Sequence, residues 1–469
     1  MRDAPFLPAA ELLTRQRTAF LNEGAPDLAH RRAALARLKT AVLGHRRRLE
    51  AAAEADFGRR APIETALTDL VPVVQSITHM RRHLDRWMRP ERRRVGLLMQ
   101  PGRAEVRYQP LGVVGIMSAW NYPVSLALVP LATALAAGNR SLVKLSEKAP
   151  ATADALATLL SDTFDETEVA VVTGGPEVAG SFAALPFDHL FFTGSTAIGR
   201  KVAQAAAANL TPVTLELGGK SPVILTADAD PGLAARDLAF GKMTNAGQTC
   251  IAPDYVLAAP EQISPLVEAF ARAVQTAAPD GLASPDLTTL LDEDGFARQR
   301  ALLEDAKAHG ARIVECLPQD ASAHARAFAP TLVLDAAPKM RLMQEEIFGP
   351  LLPVVACNST ETAITFVNAR PRPLALYVYG HDRAAIDAVL SRTTSGNAAV
   401  NGVMLHYAVD TLPFGGVGDS GMGAYHGKEG FRRLSHAKGV FRPASRHPSR
   451  LARAPYGKLA RLAARLVLR

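Results

Sequence analysis

His189-Leu-Phe-Phe-Thr-Gly194-Ser-Thr-Ala-Ile-Gly199 runs from an apolar, β-favouring segment through a glycine turn into an alanine-rich stretch. That order predicts a strand, a tight turn and a helix, the repeating unit of a parallel α/β fold. A helix start offers unpaired N–H groups and the positive end of aligned peptide dipoles. Gly194, Ser195, Thr196, Ala197, Ile198 and Gly199 are therefore candidates to hold a phosphate. The segment is not the G-x-G-x-x-G of an ordinary dinucleotide-binding turn, and a glycine turn alone identifies no ligand.

The same texture continues outward. Apolar runs at 111–117, 141–145 and 168–172 read as strands, separated by helical stretches at 123–137 and 151–164. More α/β pattern extends from 212 to about 413, with helices at 260–277 and 296–309. Upstream, Leu35, Leu38, Val42 and Leu49 recur at helical spacing, and Pro62 opens another amphipathic stretch, so the first ninety residues read as helical. Residues 94–108, around Pro101-Gly102, suit a β-hairpin, and 435–441 a final strand. There is no internal repeat and no low-complexity linker, so the units are expected to pack closely.

A chain of 469 residues exceeds one ordinary core, and 48% apolar with 21% charged residues describes a soluble globular protein. The first residues carry Arg2, Asp3 and Glu11 and lack the order of a secretory signal. No apolar run reaches the length of about eighteen residues that a membrane span needs. Three widely spaced cysteines, Cys250, Cys316 and Cys357, argue against a disulfide framework and against a zinc site. No metal is expected, and the cytoplasm is the expected location. The net charge of +8 is concentrated at one end: residues 442–469 hold eight Lys or Arg and no acid. The body is balanced, which excludes a general nucleic-acid footprint. In the tail, Leu459, Leu462, Leu466 and Val467 share one helical face flanked by Lys458, Arg461, Arg465 and Arg469. The tail reads as a terminus without fixed structure, with a basic amphipathic helix resting on an anionic membrane as the alternative.

Two segments carry chemistry. Asn245-Ala-Gly-Gln-Thr-Cys250-Ile-Ala-Pro sets one cysteine on a polar, glycine-containing loop that would expose its thiol. A lone cysteine is more often a small buried hydrophobe, so context decides. Leu215-Glu216-Leu217-Gly218-Gly219-Lys220-Ser221-Pro222 places a carboxyl between two leucines at a strand end. Desolvation there raises its pKa toward neutrality and suits a general base, against the alternative of a surface glutamate in a turn.

Together these segments resemble the signatures of the aldehyde dehydrogenase superfamily, with Cys250 following Glu216 by 34 residues. The resemblance continues through Trp120-Asn121-Tyr122-Pro123, Phe192-Thr193-Gly194-Ser195, Glu346-Ile347-Phe348-Gly349-Pro350 and Pro413-Phe414-Gly415-Gly416, in order, from about residue 10 to 441. It implies two open parallel-sheet α/β domains plus a small β oligomerisation element. Residues 1–93 and 109–215 would form a variant Rossmann domain and 216–424 the catalytic domain. Residues 94–108 and 425–442 would bridge, and 443–469 form the basic tail. It implies Cys250 as nucleophile, Asn121 with the Cys250 N–H as oxyanion donors, and Glu216 as the base that hydrolyses a thioester. Acylating relatives commonly lack that glutamate, so a hydrolytic enzyme is expected. Lys144 and Glu147 would meet the adenosine ribose, and Glu346 and Phe348 the nicotinamide ribose and ring. A carboxylate on the ribose favours NAD over NADP, although Leu145 replaces the usual proline of that loop.

Further detail resembles the class 3 branch, and Trp87-Met-Arg-Pro-Glu-Arg-Arg with Tyr108-Gln-Pro-Leu-Gly-Val-Val-Gly-Ile-Met resembles bacterial coniferyl aldehyde dehydrogenases. The implied substrates are aromatic aldehydes such as coniferaldehyde, or medium-chain aliphatic ones, and the implied assembly is a homodimer. Trp120, Tyr122, Met243 and Tyr407 are candidates for an apolar substrate funnel. Competing readings are a cofactor-independent thiol hydrolase, a broad-specificity fatty aldehyde dehydrogenase held at a membrane by its tail, and an idle binding protein on the same fold.

Overall fold

The computed structural model describes residues 8–318, 324–445, 447 and 453–468; Arg469, at the end of the basic tail face, lies outside them. The amino-terminal region is helical: Ala9–Glu23, Leu28–Gly44, Arg46–Phe57, and a long element from Pro62–Thr65 through a π-turn at Ala66–Leu70 to Val71–Met88. Leu35, Leu38, Val42 and Leu49, picked out by their spacing, are fully buried in a core shared with Ile77, Leu84, Val114 and Leu128.

In chain order the strands build three sheets. β1 (Glu91–Arg93) and β2 (Arg103–Pro110) form a short antiparallel hairpin. Its turn occupies the residues between them, and its second strand runs on to 110, past the predicted end at 108. β3 (Val113–Met117), β4 (Arg140–Lys144), β5 (Val169–Val172), β6 (His189–Thr193) and β7 (Val213–Glu216) form the first large sheet. β8 (Pro222–Leu225), β9 (Tyr255–Ala258), β10 (Arg312–Glu315), β11 (Thr331–Leu334), β12 (Leu351–Ala356), β13 (Ala375–Tyr379) and β14 (Asn397–Val400) form the second. The chain then returns: β15 (Gly421–Met422) pairs antiparallel with β7, and β16 (Ser435–Arg442) pairs along the whole of β2.

The first sheet has the order β15-β7-β6-β3-β4-β5. From β3 the chain steps outward through β4 to β5, then crosses back to β6 on the other side of β3. The two crossovers leave the sheet in opposite directions between β3 and β6, and the crevice above their carboxyl ends is where open α/β sheets take ligands. The second sheet has the order β10-β11-β12-β9-β8-β13-β14, parallel except for β10. Buried strands covered on both faces explain the continuous apolar runs: every residue of β3, β4, β6, β8, β9 and β13 is buried.

Candidate functional site

Three loops lead into the amino ends of neighbouring strands of the second sheet: 217–221 into β8, 250–254 into β9 and 345–350 into β12. The first of them leaves the carboxyl end of β7. Carboxyl ends of one sheet thus face amino ends of the other, and Glu216, Cys250 and Glu346 lie on the three segments between them.

Cys250 is half-buried and unbridged. Three consecutive left-handed residues precede it: Asn245 (φ 51°), Ala246 (φ 52°) and Gly247 (φ 70°). Such a run is strained unless its surroundings hold it, and they do. The Asn245 N–H donates to Glu64 Oε1 at 2.5 Å, and its amide donates to the carbonyls of Asn121 (3.0 Å) and Gln248 (3.1 Å). Gln248 in turn donates to Thr289 O and accepts from the Leu291 N–H. Gly247 also has a packing reason to be glycine, since a Cβ would sit 2.4 Å from the Gly349 carbonyl. Burial, with the Glu346 and Glu216 carboxyls acting in the same direction, pushes the thiol up to about 12. The backbone N–H groups of Cys250 and Ile251 pull the other way.

Glu216 ends β7 and is buried, and neither carboxylate oxygen has a hydrogen-bond partner. Burial raises its pKa well above the ordinary carboxylate value, opposed by the Arg433 guanidinium. An unpartnered buried carboxyl is expensive to keep, which makes Glu216 a candidate working group.

Asn121 follows β3 and is buried. One amide hydrogen goes to the Gln248 carbonyl at 3.0 Å, which fixes the side chain two residues from the thiol and leaves its second hydrogen for another acceptor. The Asn121 carbonyl accepts from the fully buried Arg60 at 3.1 Å. Arg60 lies over the rings of Phe57 and Tyr122, and the Tyr122 hydroxyl meets Thr249 Oγ1 at 2.7 Å. Trp120 contacts Phe348 edge-on at 5.4 Å, and Phe348 is itself left-handed (φ 47°).

Glu346 lies against the turn that follows Glu216. It accepts from the Gly219 N–H at 3.2 Å, and a Cβ on Gly218 would fall 2.1 Å from its carboxylate. Burial and Asp254 push its carboxyl up to about 8. A cleft of about 460 Å³ is lined by Thr196, Gly218, Gly219, Glu346 and Asp419 among others. It brings Glu346 and the helix beginning after Gly194 to one opening.

That helix, Thr196–Ala207, is capped by Ser195, whose hydroxyl accepts from the Ile198 N–H. Gly199 lets it close on the neighbouring loop, because a Cβ there would lie 2.5 Å from Leu217 Cδ2. Gly194 packs against the Phe192 ring. Lys144 and Glu147 stand apart from the thiol, at the end of β4, paired at 2.5 Å with Lys144 buried. The donor set fits a dinucleotide: an N–H-rich helix start over the β3/β6 crevice for the pyrophosphate, and two carboxyls, Glu346 in the cleft and Glu147 just past β4, for the ribose hydroxyls.

Sequence reasoning overlooked the bracing groups Glu64 and Arg60. Their partners, Asn245 and Asn121, lie far along the chain, and nothing in the local pattern signals them.

A family profile described as aldehyde dehydrogenase family matches residues 11–440. The chain is 46% identical over 447 residues to a probable coniferyl aldehyde dehydrogenase of Pseudomonas aeruginosa, covering 95% of this chain and 93% of that one. It is 39% identical over 426 residues to aldehyde dehydrogenase family 3 member A2 of Rattus norvegicus, covering 90% and 86%. A Mycobacterium tuberculosis aldehyde dehydrogenase complexed with NAD+ superposes with a TM-score of 0.84 at 29% identity, over 94% of this chain and 92% of that one.

Proposed function

Because this chain belongs to the aldehyde dehydrogenase family and oxidises an aldehyde with a nicotinamide dinucleotide, we propose that Cys250, Glu216 and Asn121 carry its chemistry. The observation behind this is a half-buried thiol whose proton is held more tightly by burial and by the charge of an unpartnered buried carboxyl. A cofactor-independent thiol hydrolase is not favoured, since the family match spans residues 11–440.

The Cys250 sulfur attacks the aldehyde carbon, and the carbonyl electron pair moves to oxygen. The free amide hydrogen of Asn121 and the Cys250 N–H receive that charge, and such donors lower a barrier because they are fixed beforehand. A thiol held near 12 gives up its proton only to a base. Glu216 is suited to that task, because a carboxyl raised by burial is a stronger base than an exposed one. When bound, NAD supplies the hydride acceptor. Lys144, Glu147, Gly194, Ser195, Thr196, Ala197, Ile198 and Gly199 would hold its adenosine and pyrophosphate, and Glu346 and Phe348 its nicotinamide half. Loss of hydride from the tetrahedral carbon leaves Cys250 acylated. Once Glu216 has released the thiol proton to solvent, it takes a proton from water, the hydroxide adds to the thioester carbon, the C–S bond breaks to free the carboxylic acid, and Glu216 returns its proton to the sulfur. The enzyme is hydrolytic on this reading, not acylating.

The likeness to coniferyl aldehyde dehydrogenases supports aromatic aldehydes, coniferaldehyde among them, as substrates. Glu147, ion-paired and beside the ribose position, supports NAD over NADP. We take 1–93 with 109–215 as the dinucleotide domain and 216–424 as the catalytic domain, with β15 lending the first its edge strand. Residues 94–108 with 425–442 form the bridging element of a cytoplasmic homodimer. The test is a spectrophotometric panel of NAD and NADP against benzaldehyde, coniferaldehyde, hexanal and a short aldehyde, with product analysis for free acid. Turnover with coniferaldehyde and NAD is expected, and Cys250→Ala should abolish it. Dehydrogenase activity surviving in that variant would remove the thiol from the mechanism.

A further inference from the structure

The three loops carry, and pack against, a group of charges that no step above uses, Asp254 and Lys242 buried and Lys220 mostly so. Lys220 donates to the Asp254 carboxylate, to Leu342 O at 2.7 Å and to Glu345 O at 3.1 Å. Asp254 accepts from the Ile347 N–H at 2.9 Å through its other oxygen, and its own N–H donates to Ser221 O at 2.8 Å. Lys242, fully buried, donates to Pro253 O at 3.0 Å. Arg298 closes the outer side, binding the Ile347 carbonyl at 2.6 Å. Lys220 is four residues from Glu216, Asp254 four residues from Cys250, and Ile347 adjoins Glu346. A single ion pair therefore ties together the three segments that bear the thiol and the two carboxyls.

We propose that the Lys220–Asp254 pair is a positioning device that sets the spacing of Cys250, Glu216 and Glu346, so that attack, thioester hydrolysis and cofactor binding share one mechanical reference. Stability alone is a poor explanation for it, because a buried ion pair seldom stabilises more than apolar side chains of the same volume. What apolar residues would not reproduce is the set of directed bonds to Ile347, Leu342 and Glu345. The inference rests on the site assignment above, so its test needs readouts outside turnover.

Lys220→Met keeps the length of the side chain and removes its donors; Lys220→Arg keeps the charge. The Lys220→Met/Asp254→Leu double variant removes the pair without stranding either charge, and it serves if the single variant does not fold. In each, we would measure circular dichroism and melting temperature, kcat and KM, NAD affinity by fluorescence titration, and the iodoacetamide alkylation rate of Cys250 by mass spectrometry. Folded Lys220→Met or double variant is expected to lose at least tenfold in kcat, with aldehyde KM within about threefold, weaker NAD binding and a changed alkylation rate. Lys220→Arg should recover part of each. A folded variant with kcat, NAD affinity and alkylation all within twofold of the parent would overturn the proposal. Cys250→Ser separates the two ideas: if it still turned over, the assignment of the nucleophile would fall. NAD affinity and Cys250 alkylation would still report the pair's effect in the Lys220 variants.

Discussion

At the scale of single residues, the site is built from groups kept in costly states. Glu216 is the clearest. Its folded-state pKa lies above the ordinary 4.5, so its contribution to stability is complete below that value and is lost as pH climbs toward the folded one. Glu216→Gln titrates nowhere. The variant should therefore gain stability relative to the parent as pH rises from 5 to 8, measured by chemical unfolding at both ends, and a gap independent of pH would contradict the buried, unpartnered carboxyl. In kinetics the same variant should release a first equivalent of NADH and then stall, because thioester hydrolysis suffers more than hydride transfer. Normal NADH production through many turnovers would free Glu216 from its assigned role. Asn121→Ala should lower kcat by roughly 10²–10³, the usual loss for one oxyanion donor, while leaving cofactor affinity unchanged in a binding titration.

At the scale of elements, the helix Thr196–Ala207 and the strand feeding it decide whether a dinucleotide has a seat. Gly199→Ala would force a Cβ against Leu217, the residue after Glu216. Overpacking of this kind costs about 1–3 kcal/mol, so a lower melting temperature and weaker NAD binding are expected together; an unaltered NAD affinity would show that the helix start bears no phosphate. The sequence was most readable here. The helix predicted at 260–277 is observed at Pro260–Ala277, and the strands predicted from apolar runs begin or end within two residues of the observed ones. Period and punctuation are local, and local signals carry element type. The hairpin was less readable: β1 is a three-residue strand at Glu91–Arg93, inside a run of arginines that reads as a solvated surface. For the site, Cys250 and Glu216 stood out because a glycine-containing loop and a leucine-flanked strand end made them candidates, and the resemblance to the family signatures singled them out. Asp254 and Lys220 did not, because a charge in a loop looks the same whether its partner is solvent or a lysine 34 positions away.

At the scale of the whole molecule, two carboxyl-terminal segments play different parts. The tail forms a helix, Lys458–Val467, with no buried residue, and Leu459, Leu462, Leu466 and Val467 are all exposed. No helix among the described residues is long and apolar enough to cross a membrane. Removing 443–469 should leave kcat and KM within twofold and leave the proposed dimer intact by light scattering, since β16 ends at Arg442 and holds β2 without the tail; a full-length dimer that became monomeric on truncation would place the contact in the tail. The segment upstream of the tail matters through β15. Gly421 pairs with Glu216 itself, and the Leu217 N–H donates to the Ser420 carbonyl. The strand that bears Glu216 is therefore flanked by residues synthesised some two hundred positions later. While the ribosome is still extending the second sheet, the nascent first sheet has a bare margin where this buried carboxyl will stand. A chain stopped before residue 421 would carry the strands of both large sheets but leave the Glu216 edge without its partner strand.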